Sequence, residues 1–270
     1  MNLTFATWNL LEGGIDDGSD ARLRRQMALL ARREPSVVER QECWWWDRDY
    51  FATFHLTERM LGMRGFLSPS PHYGCHLAVF IREDAGLRVT GQRHEHGHPY
   101  WHDAARIVVE AAGYPQPLQL ASVHLAPSSP TVRLAEAEAF GLVAKDGPVI
   151  AGGDWNALPA ADPEPAVAAE GRWRRKLDRA AAEALEEAGF LDAGAHSGDM
   201  TPTVGHASEL PYRCDRVYTT LPARAIAGYE VITSADAESD HRPVAVEFDL
   251  AAAAAPAPAR TAAGGRTRQA

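Results

Sequence analysis

The sequence lacks the features that would place it in a membrane or in a disulfide-rich class of proteins. Its 270 residues contain no apolar run of about 18 residues, the length of a membrane-spanning helix. The N-terminus has neither the basic region nor the small-residue cleavage site of a signal peptide. The three cysteines, Cys43, Cys75 and Cys214, are odd in number and too widely spaced for a disulfide framework or a CxxC zinc motif. We therefore predict a cytoplasmic protein with no membrane partner.

Lysine is almost absent, since Lys145 and Lys176 are the only two in the chain. The formal net charge is -9. Residues 251–270 contain three arginines and no acidic residue, so residues 1–250 alone carry -12. A strongly acidic body does not attract long polyanions. Clustered carboxylates often bind divalent cations instead, which makes acidic residues the first candidates for a functional site.

The composition divides the chain into a folded part and a tail. Residues 251–270 are rich in alanine and proline and contain no aromatic or large apolar residue. Such a segment cannot bury enough apolar surface to offset the entropy of ordering, so we predict that it is disordered. Hydrophobic residues make up 46% of the whole chain, enough for a substantial core. We expect one catalytic domain over residues 1–250, and a monomer.

Hydrophobic periodicity indicates alternating strands and helices along residues 1–250. Helices are predicted over 21–33, 130–145 and 174–188 from apolar residues spaced three and four apart. Four segments, 76–82, 87–93, 105–111 and 118–125, are typical of strands joined by short turns, which predicts an antiparallel meander. Further strands are predicted at both ends of the domain. The fold class expected is α/β, with two packed, mainly antiparallel β-sheets flanked by helices in a four-layered sandwich.

Polar residues recur where the predicted strands begin or end. Loops at strand ends are where a sheet scaffold presents functional groups. Taken singly, each residue has an ordinary structural explanation, such as a turn, a cap or a local ion pair. Their recurrence at six separate strand ends instead predicts a shared functional site, and its members are Asn9, Glu42, His124, Asp154, Asn156, Asp215, Asp240 and His241.

The order and spacing of these residues resemble the endonuclease/exonuclease/phosphatase superfamily, which includes deoxyribonuclease I. The most specific motifs are Gly-Asp-Trp-Asn at residues 153–156 and Ser-Asp-His-Arg-Pro at residues 239–243. Thr-Trp-Asn at residues 7–9 and Gln-Glu at residues 41–42 support them. The resemblance covers residues 1 to about 250, and it implies a metal-dependent phosphoesterase that uses Mg²⁺ or Mn²⁺.

A metal site follows from the chemistry of phosphate esters and from the resemblance. A hard cation neutralises the charge that builds on the phosphate oxygens in the transition state. Glu42 is the best candidate for the main protein ligand. The resemblance implies that Asn9 helps to hold the metal or its waters. Asp240 would face the metal side, at a second cation site.

The remaining residues are assigned to catalysis. Asp154 can accept a proton from the attacking water, and Asn156 can donate a hydrogen bond to a phosphate oxygen. His241 would bind the scissile phosphate. The resemblance places Asp215 as the acceptor that orients His241, and it matches His124 to a histidine that protonates the leaving oxygen or contacts the phosphate.

Several histidines and aromatic residues leave alternatives open. His98 and His102 belong to a histidine-rich segment that is a candidate substrate-binding loop, a zinc site or a solvated loop. His76, before a strand, is a further candidate for substrate contact. The three tryptophans at 44–46 either wall the pocket or pack a loop. Strand alternation predicts that Cys43 and Cys214 point into the core.

The function predicted is hydrolysis of a phosphate ester by a phosphodiesterase that acts on a small or single-stranded substrate. The partner is therefore a phosphate ester or a nucleic acid. One alternative is a duplex DNA endonuclease. The other is a non-catalytic module that binds phosphate ligands on the same fold. Against the second alternative, every position that matches the family carries a residue suited to catalysis.

Overall fold

Two six-stranded β-sheets pack face to face and form the frame of the protein. The computed structural model describes residues 1–165, 171–206 and 210–255. The first sheet has the order β11-β12-β1-β2-β4-β3. Its strands are β1 (Asn2–Asn9), β2 (Val37–Trp44), β3 (Arg64–Ser68), β4 (Cys75–Ile81), β11 (Ile226–Val231) and β12 (Val244–Asp249). The second sheet has the order β5-β6-β7-β8-β10-β9. Its strands are β5 (Leu87–Gln92), β6 (Asp103–Ala111), β7 (Leu118–His124), β8 (Val149–Asp154), β9 (Leu191–Asp192) and β10 (Asp215–Thr219).

Each sheet has a parallel pair of strands at its centre. β1 pairs with β2 in parallel, and β7 pairs with β8 in the same way, whereas the other pairs are antiparallel. The inner faces enclose one apolar core, to which Phe5, Val79, Ile107 and Val217 contribute. This arrangement confirms the predicted class of two packed, mainly antiparallel sheets.

Helices cover both outer faces and complete the four layers. Leu23 and Met27 pack on the outer face of the first sheet, and Phe140 and Leu185 pack on the outer face of the second. Each helix buries the apolar stripe that its sequence period creates. The helices are α1 (Ala21–Ala31), α2 (Ala52–Leu61), α3 (Pro130–Gly141), α4 (Arg172–Lys176), α5 (Ala180–Glu187), α6 (Ala193–Ser197) and α7 (Leu250–Ala254).

The predicted four-stranded meander was wrong in one strand. β4 pairs with β2 and β3 in the first sheet, whereas β5, β6 and β7 are consecutive neighbours in the second. Every residue of β4 is buried, as expected for a strand inside a sheet, but β5 alternates between half-buried and exposed residues, as expected for an edge. The link of residues 82–86 between them therefore crosses from one sheet to the other.

The helix predicted over 174–188 is broken into α4 and α5. The break lies at Asp178, whose side chain accepts a hydrogen bond from the Ala180 N–H at 3.3 Å. Its carbonyl oxygen accepts one from Leu158 N–H at 3.2 Å. Because these contacts compete with helix continuation, they end α4 and tie it to the loop after β8.

The folded region continues past the predicted start of the tail at residue 251. Asp249 caps α7 by accepting hydrogen bonds from the N–H groups of Ala251 and Ala252 at 2.9 and 3.2 Å. Arg224 Nε donates to the Ala252 carbonyl at 2.8 Å, and Ala253 packs against the core. Residues 256–270 lie outside the described residues, and their disorder stays a prediction.

None of the helices in the described parts of the chain is long and apolar enough to cross a membrane.

A buried ion triad joins the segment before β10 to β9 and to the loop after β8, and it gives the first prediction. Arg213 is fully buried and donates to Asp162 at 2.6 and 2.8 Å and to Asp192 at 2.9 and 3.1 Å. Arg213→Met should lower the free energy of unfolding by about 3–5 kcal/mol, because two buried carboxylates lose their partner. Urea denaturation measures this change.

The control is Arg33→Met, which removes an exposed ion pair with Glu230. Exposed pairs of this kind contribute no more than about 1 kcal/mol. Equal and small effects of the two substitutions would show that Arg213 does not hold the carboxylates together.

Candidate active site

The polar residues predicted from strand ends meet at one end of the sandwich. Asn9, Glu42, His124 and Asp154 lie at or near the carboxyl ends of β1, β2, β7 and β8. Strand pairing places His124 opposite Asp154 on one side. It places Asp215 opposite Asp154 on the other side. Glu42, His124 and Asp154 line an open cavity of about 630 Å³.

Asp154 is the centre of this cluster. Its Oδ2 accepts a hydrogen bond from Asn9 Nδ2 at 3.2 Å, and lies 3.3 Å from His124 Nε2 and 3.9 Å from His241 Nε2. Burial by itself would raise the pKa of Asp154, but His241 and His124 reverse this effect and hold the pKa well below its ordinary value. The carboxylate is therefore ionised at neutral pH.

His241 contacts Asp215, the residue that the family resemblance paired with it. Its Nδ1 lies 2.8 and 3.0 Å from the two oxygens of Asp215, and its carbonyl accepts a hydrogen bond from Trp8 Nε1 at 2.8 Å. Burial opposes a charged imidazole, but Asp215 and Asp154 together raise the pKa of His241 to about 10. At neutral pH His241 is thus an imidazolium whose Nε2 is directed toward Asp154.

Glu42 sits on a strained segment of β2. Its φ of 55° lies in the left-handed region, and the pairing of β2 with β4 shifts register between Arg40 and Cys43. Such strain in a residue other than glycine persists where the surrounding structure fixes it, and it is common at functional sites. The carboxylate accepts hydrogen bonds from Glu12 N–H at 3.0 Å and from Trp44 Nε1 at 3.2 Å.

Asn9 joins the two sides of the cluster. Its Nδ2 donates to Glu42 Oε1 at 3.1 Å as well as to Asp154. Its Oδ1 accepts from the Leu11 N–H at 3.1 Å. The fully buried amide therefore fixes the spacing between Glu42 and Asp154.

The oxygen donors on the cavity wall suit a hard divalent cation. Glu42, Asp154 and Asp240 all line the cavity. Mg²⁺ binds carboxylate oxygens, keeps several water ligands and needs only one or two protein carboxylates. A cation of this kind at Glu42, with Asp240 nearby, fits the donor set that is present.

Asn156 forms a turn and also lines the cavity. Its backbone, with φ of 50°, turns back so that its N–H donates to Asp154 Oδ1 at 3.0 Å. Its Nδ2 donates to the Leu125 carbonyl at 3.0 Å, and its Oδ1 accepts from Lys176 Nζ. Asn156 is therefore a turn residue that also lines the site, so its structural and functional interpretations do not exclude each other.

Only one of the three histidines predicted to bind substrate reaches the cavity. His102 lines it and stacks on His124, with ring centroids 4.3 Å apart. Burial and the neighbouring His124 lower the pKa of His102 to about 2, so its imidazole is neutral. His98 is exposed and does not line the cavity. His76 lies behind the wall, where Nδ1 accepts from Ser70 N–H and Nε2 is 2.9 Å from Asp47.

The prediction that Cys43 and Cys214 are core residues agrees with their burial, but Cys214 does not point away from the site as alternation predicted. Cys43 is buried in the apolar cluster beneath α1. Cys214 precedes β10, so strand alternation does not apply to it. Its Sγ lies 2.8 Å from Asp154 Oδ1 and lines the cavity.

Sequence reasoning missed the other cavity residues because distant segments supply them. Lys176 comes from α4 and Cys75 from the start of β4. The basic run of residues 174–176 was the available signal for Lys176. No local pattern marked Cys75.

Of the three tryptophans, Trp44 lines the cavity, Trp45 is 42% exposed and Trp46 is buried, so both proposed roles occur within one run.

The comparison with known families agrees with this geometry. The model of the Endonuclease/Exonuclease/phosphatase family matches residues 6–241, from β1 to the catalytic histidine candidate. The chain belongs to this family. Members of the endonuclease/exonuclease/phosphatase family are generally phosphoesterases and usually use divalent metal ions. No curated protein matched the sequence significantly.

Solved structures share the fold at low sequence identity. The humanized D. rerio TDP2 is 18% identical with a TM-score of 0.67, over 92% of this chain and 99% of that chain. A family member from Bacteroides vulgatus is 15% identical with a TM-score of 0.68, over 93% and 99%. D. rerio TDP2 complexed with a single-strand DNA product is 16% identical with a TM-score of 0.67, over 92% and 99%. These similarities show that the fold is shared over nearly the whole chain.

Proposed function

We propose that this chain is a phosphodiesterase that requires Mg²⁺ or Mn²⁺ and acts on a small or single-stranded phosphate ester. The observation that supports it best is the arrangement of His241 between Asp215 and Asp154. Ionised and hydrogen-bonded groups of this kind stabilise charge that develops on a reacting phosphate. Glu42 lies in the same cavity and would hold the cation.

The reaction would be attack of water on phosphorus and loss of the ester oxygen. Asp154 would orient the water and take its proton as the new P–O bond forms, because the pKa of Asp154 is low and the attacking water becomes acidic enough only at that stage. His241 donates a hydrogen bond from Nε2 to a non-bridging oxygen. His124 supplies the proton that the leaving oxygen takes up. A cation bound at Glu42 supplies positive charge for the phosphate oxygens.

Asn156 and Lys176 would position the phosphate. Lys176 Nζ donates to Asn156 Oδ1, and both side chains line the cavity. A lysine is a flexible point charge that can move from an amide oxygen to a phosphate oxygen. Asn156 keeps one amide hydrogen beyond the bond that it makes to Leu125, and this hydrogen is available for substrate.

The cavity favours a small or unpaired substrate over a duplex. Its volume of about 630 Å³ is within the range of small-molecule sites. Tyr73 and Trp101 line it with 66% and 38% of their surfaces exposed. Exposed aromatic rings stack on unpaired bases or on other planar groups. The D. rerio TDP2 structure with a single-strand DNA product supports the same choice by analogy.

The second prediction concerns salt. We expect higher kcat/KM for a small diester such as bis-p-nitrophenyl phosphate than for plasmid DNA, with little change as salt increases. A duplex binder with several phosphate contacts would lose on the order of 10³-fold in affinity or more between roughly 50 and 200 mM salt. Initial rates on both substrates across this range measure the difference.

The two lysines provide a matched control in the same assay. Lys176→Gln should raise KM for the small diester, whereas Lys145→Gln, outside the cavity, should leave it unchanged. Efficient plasmid cleavage that falls steeply with salt, together with no turnover of small esters, would identify a duplex endonuclease instead.

A further inference from the structure

A second set of metal-binding groups lies in the cavity beside the carboxylates. Cys75, His102 and His124 each offer one ligand atom, and these three atoms lie within 4.8 Å of one another. All three residues are buried. They come from the start of β4, the segment before β6 and the end of β7, so the packing of the two sheets brings them together. Together they are called the thiol-imidazole cluster below.

The histidines of this cluster have unused nitrogen atoms. Nδ1 of His102 and Nδ1 of His124 are both buried and have no hydrogen-bond partner among the described residues. A buried polar atom without a partner is costly and calls for a physical explanation. Each imidazole therefore has a nitrogen whose lone pair or N–H is not used by the protein.

The donor types select the class of metal. One sulfur and two imidazole nitrogens are ligands that Zn²⁺ favours, and three protein ligands leave a fourth position for water or an inhibitor. Mg²⁺ favours oxygen ligands, which Glu42 and Asp240 supply on the same cavity. Hard and soft donors are therefore present as two separate sets.

We propose that the thiol-imidazole cluster binds Zn²⁺ and that this ion inhibits the enzyme. On binding, the Cys75 thiol releases its proton to solvent, a Zn–S bond forms, and the two imidazoles donate nitrogen lone pairs. The bound ion occupies His124, so this side chain cannot protonate a leaving group. The inhibition rests on the proposed function, whereas the binding does not.

Cobalt provides a test of binding that does not require activity. Co²⁺ replaces Zn²⁺ at such sites, and a thiolate ligand gives it an intense charge-transfer absorption. Titration of the full chain with Co²⁺ should produce this band, and one equivalent of Zn²⁺ should remove it. Cys75→Ser should abolish the band and weaken Zn²⁺ binding by about tenfold or more, since loss of even an outer-shell partner has that effect.

Two other cysteines provide controls. Cys43→Ser removes a buried thiol outside the cavity and should retain the band. Cys214 belongs to a different group, with Asp154 and His241. A band that persists in Cys75→Ser and disappears in Cys214→Ser would overturn the assignment, as would the absence of a band in a wild-type chain that melts cooperatively.

The inhibitory part is tested separately with Mg²⁺-supported hydrolysis. Zn²⁺ added at low micromolar concentration should inhibit the wild-type enzyme, and Cys75→Ser should retain hydrolysis but resist Zn²⁺ by about tenfold or more. Zinc inhibition of equal strength in both proteins would overturn this part. If no phosphate ester is hydrolysed at all, the proposed function fails, but the cobalt band still decides whether the cluster binds metal.

Discussion

Removal of divalent metal with EDTA will abolish phosphate-ester hydrolysis, and Mg²⁺ or Mn²⁺ will restore it. Three carboxylates, Glu42, Asp154 and Asp240, line the cavity, so a phosphate oxygen close to them meets repulsion unless a cation is bound between them. Negative charge also builds on the non-bridging and leaving oxygens of the phosphate as water attacks, and a hard cation stabilises this charge. Initial rates before and after readdition of each metal measure the effect.

The strained Glu42 should be the main source of this metal dependence. Glu42→Gln keeps the size of the side chain and removes its charge, so the metal concentration needed for half-maximal rate should increase by on the order of 10-fold to 100-fold. Glu110→Gln, an exposed glutamate paired with Arg88, provides a matched control that should leave the metal response unchanged. Full hydrolysis in metal-free protein would rule out the proposed reaction centre.

His241→Gln is expected to lower kcat by about 10²-fold to 10³-fold, the effect of removing a preorganised donor to transition-state charge. The imidazolium at this position has two carboxylates as neighbours and a pKa of about 10, so the neutral amide that replaces it loses the charge. Steady-state kinetics with saturating Mg²⁺ separate this loss from metal binding. His55→Gln, an exposed histidine on α2, is the control.

The role of Asp215 follows from a double substitution. If Asp215 acts by orienting His241, Asp215→Asn should also lower kcat, and the double variant should be little worse than His241→Gln alone. The two residues are in contact at 2.8 Å, which makes such non-additivity expected. Additive losses would show that Asp215 acts independently of His241. Near-normal turnover of His241→Gln would contradict the assignment of His241 as the group that stabilises charge in the transition state.

The alternating hydrophobicity of the strands and the polar residues at their ends predicted much of the site without a structure. Asn9, Glu42, His124, Asp154, Asp215 and His241 all lie together, because residues at strand ends share one end of a sheet sandwich. The fold class was predicted for a similar reason. Strand and helix periods are local properties, and a local pattern is preserved whichever neighbour the element finally meets.

Sheet membership and side-chain direction outside regular strands were decided only by tertiary structure. β4 resembles the strands that follow it in sequence, yet it pairs with β2 and β3, since pairing depends on contacts between distant segments. Alternation predicted that Cys214 points away from the site, but this buried residue lies just before β10, where alternation does not apply, and its Sγ contacts Asp154.

Tertiary structure also decided which side chains line the cavity. His76 and His98 carry the same side chain as His102, but only His102 lines the cavity. Lys176 contacts Asn156 from α4, a separate helix that ends before Asp178, although the sequence predicted one continuous helix there. The sequence by itself determined α1, α3, most of the strands and the reacting groups at strand ends, since these follow from local patterns. The tertiary structure decided which distant side chains join them, because those contacts depend on how two sheets pack.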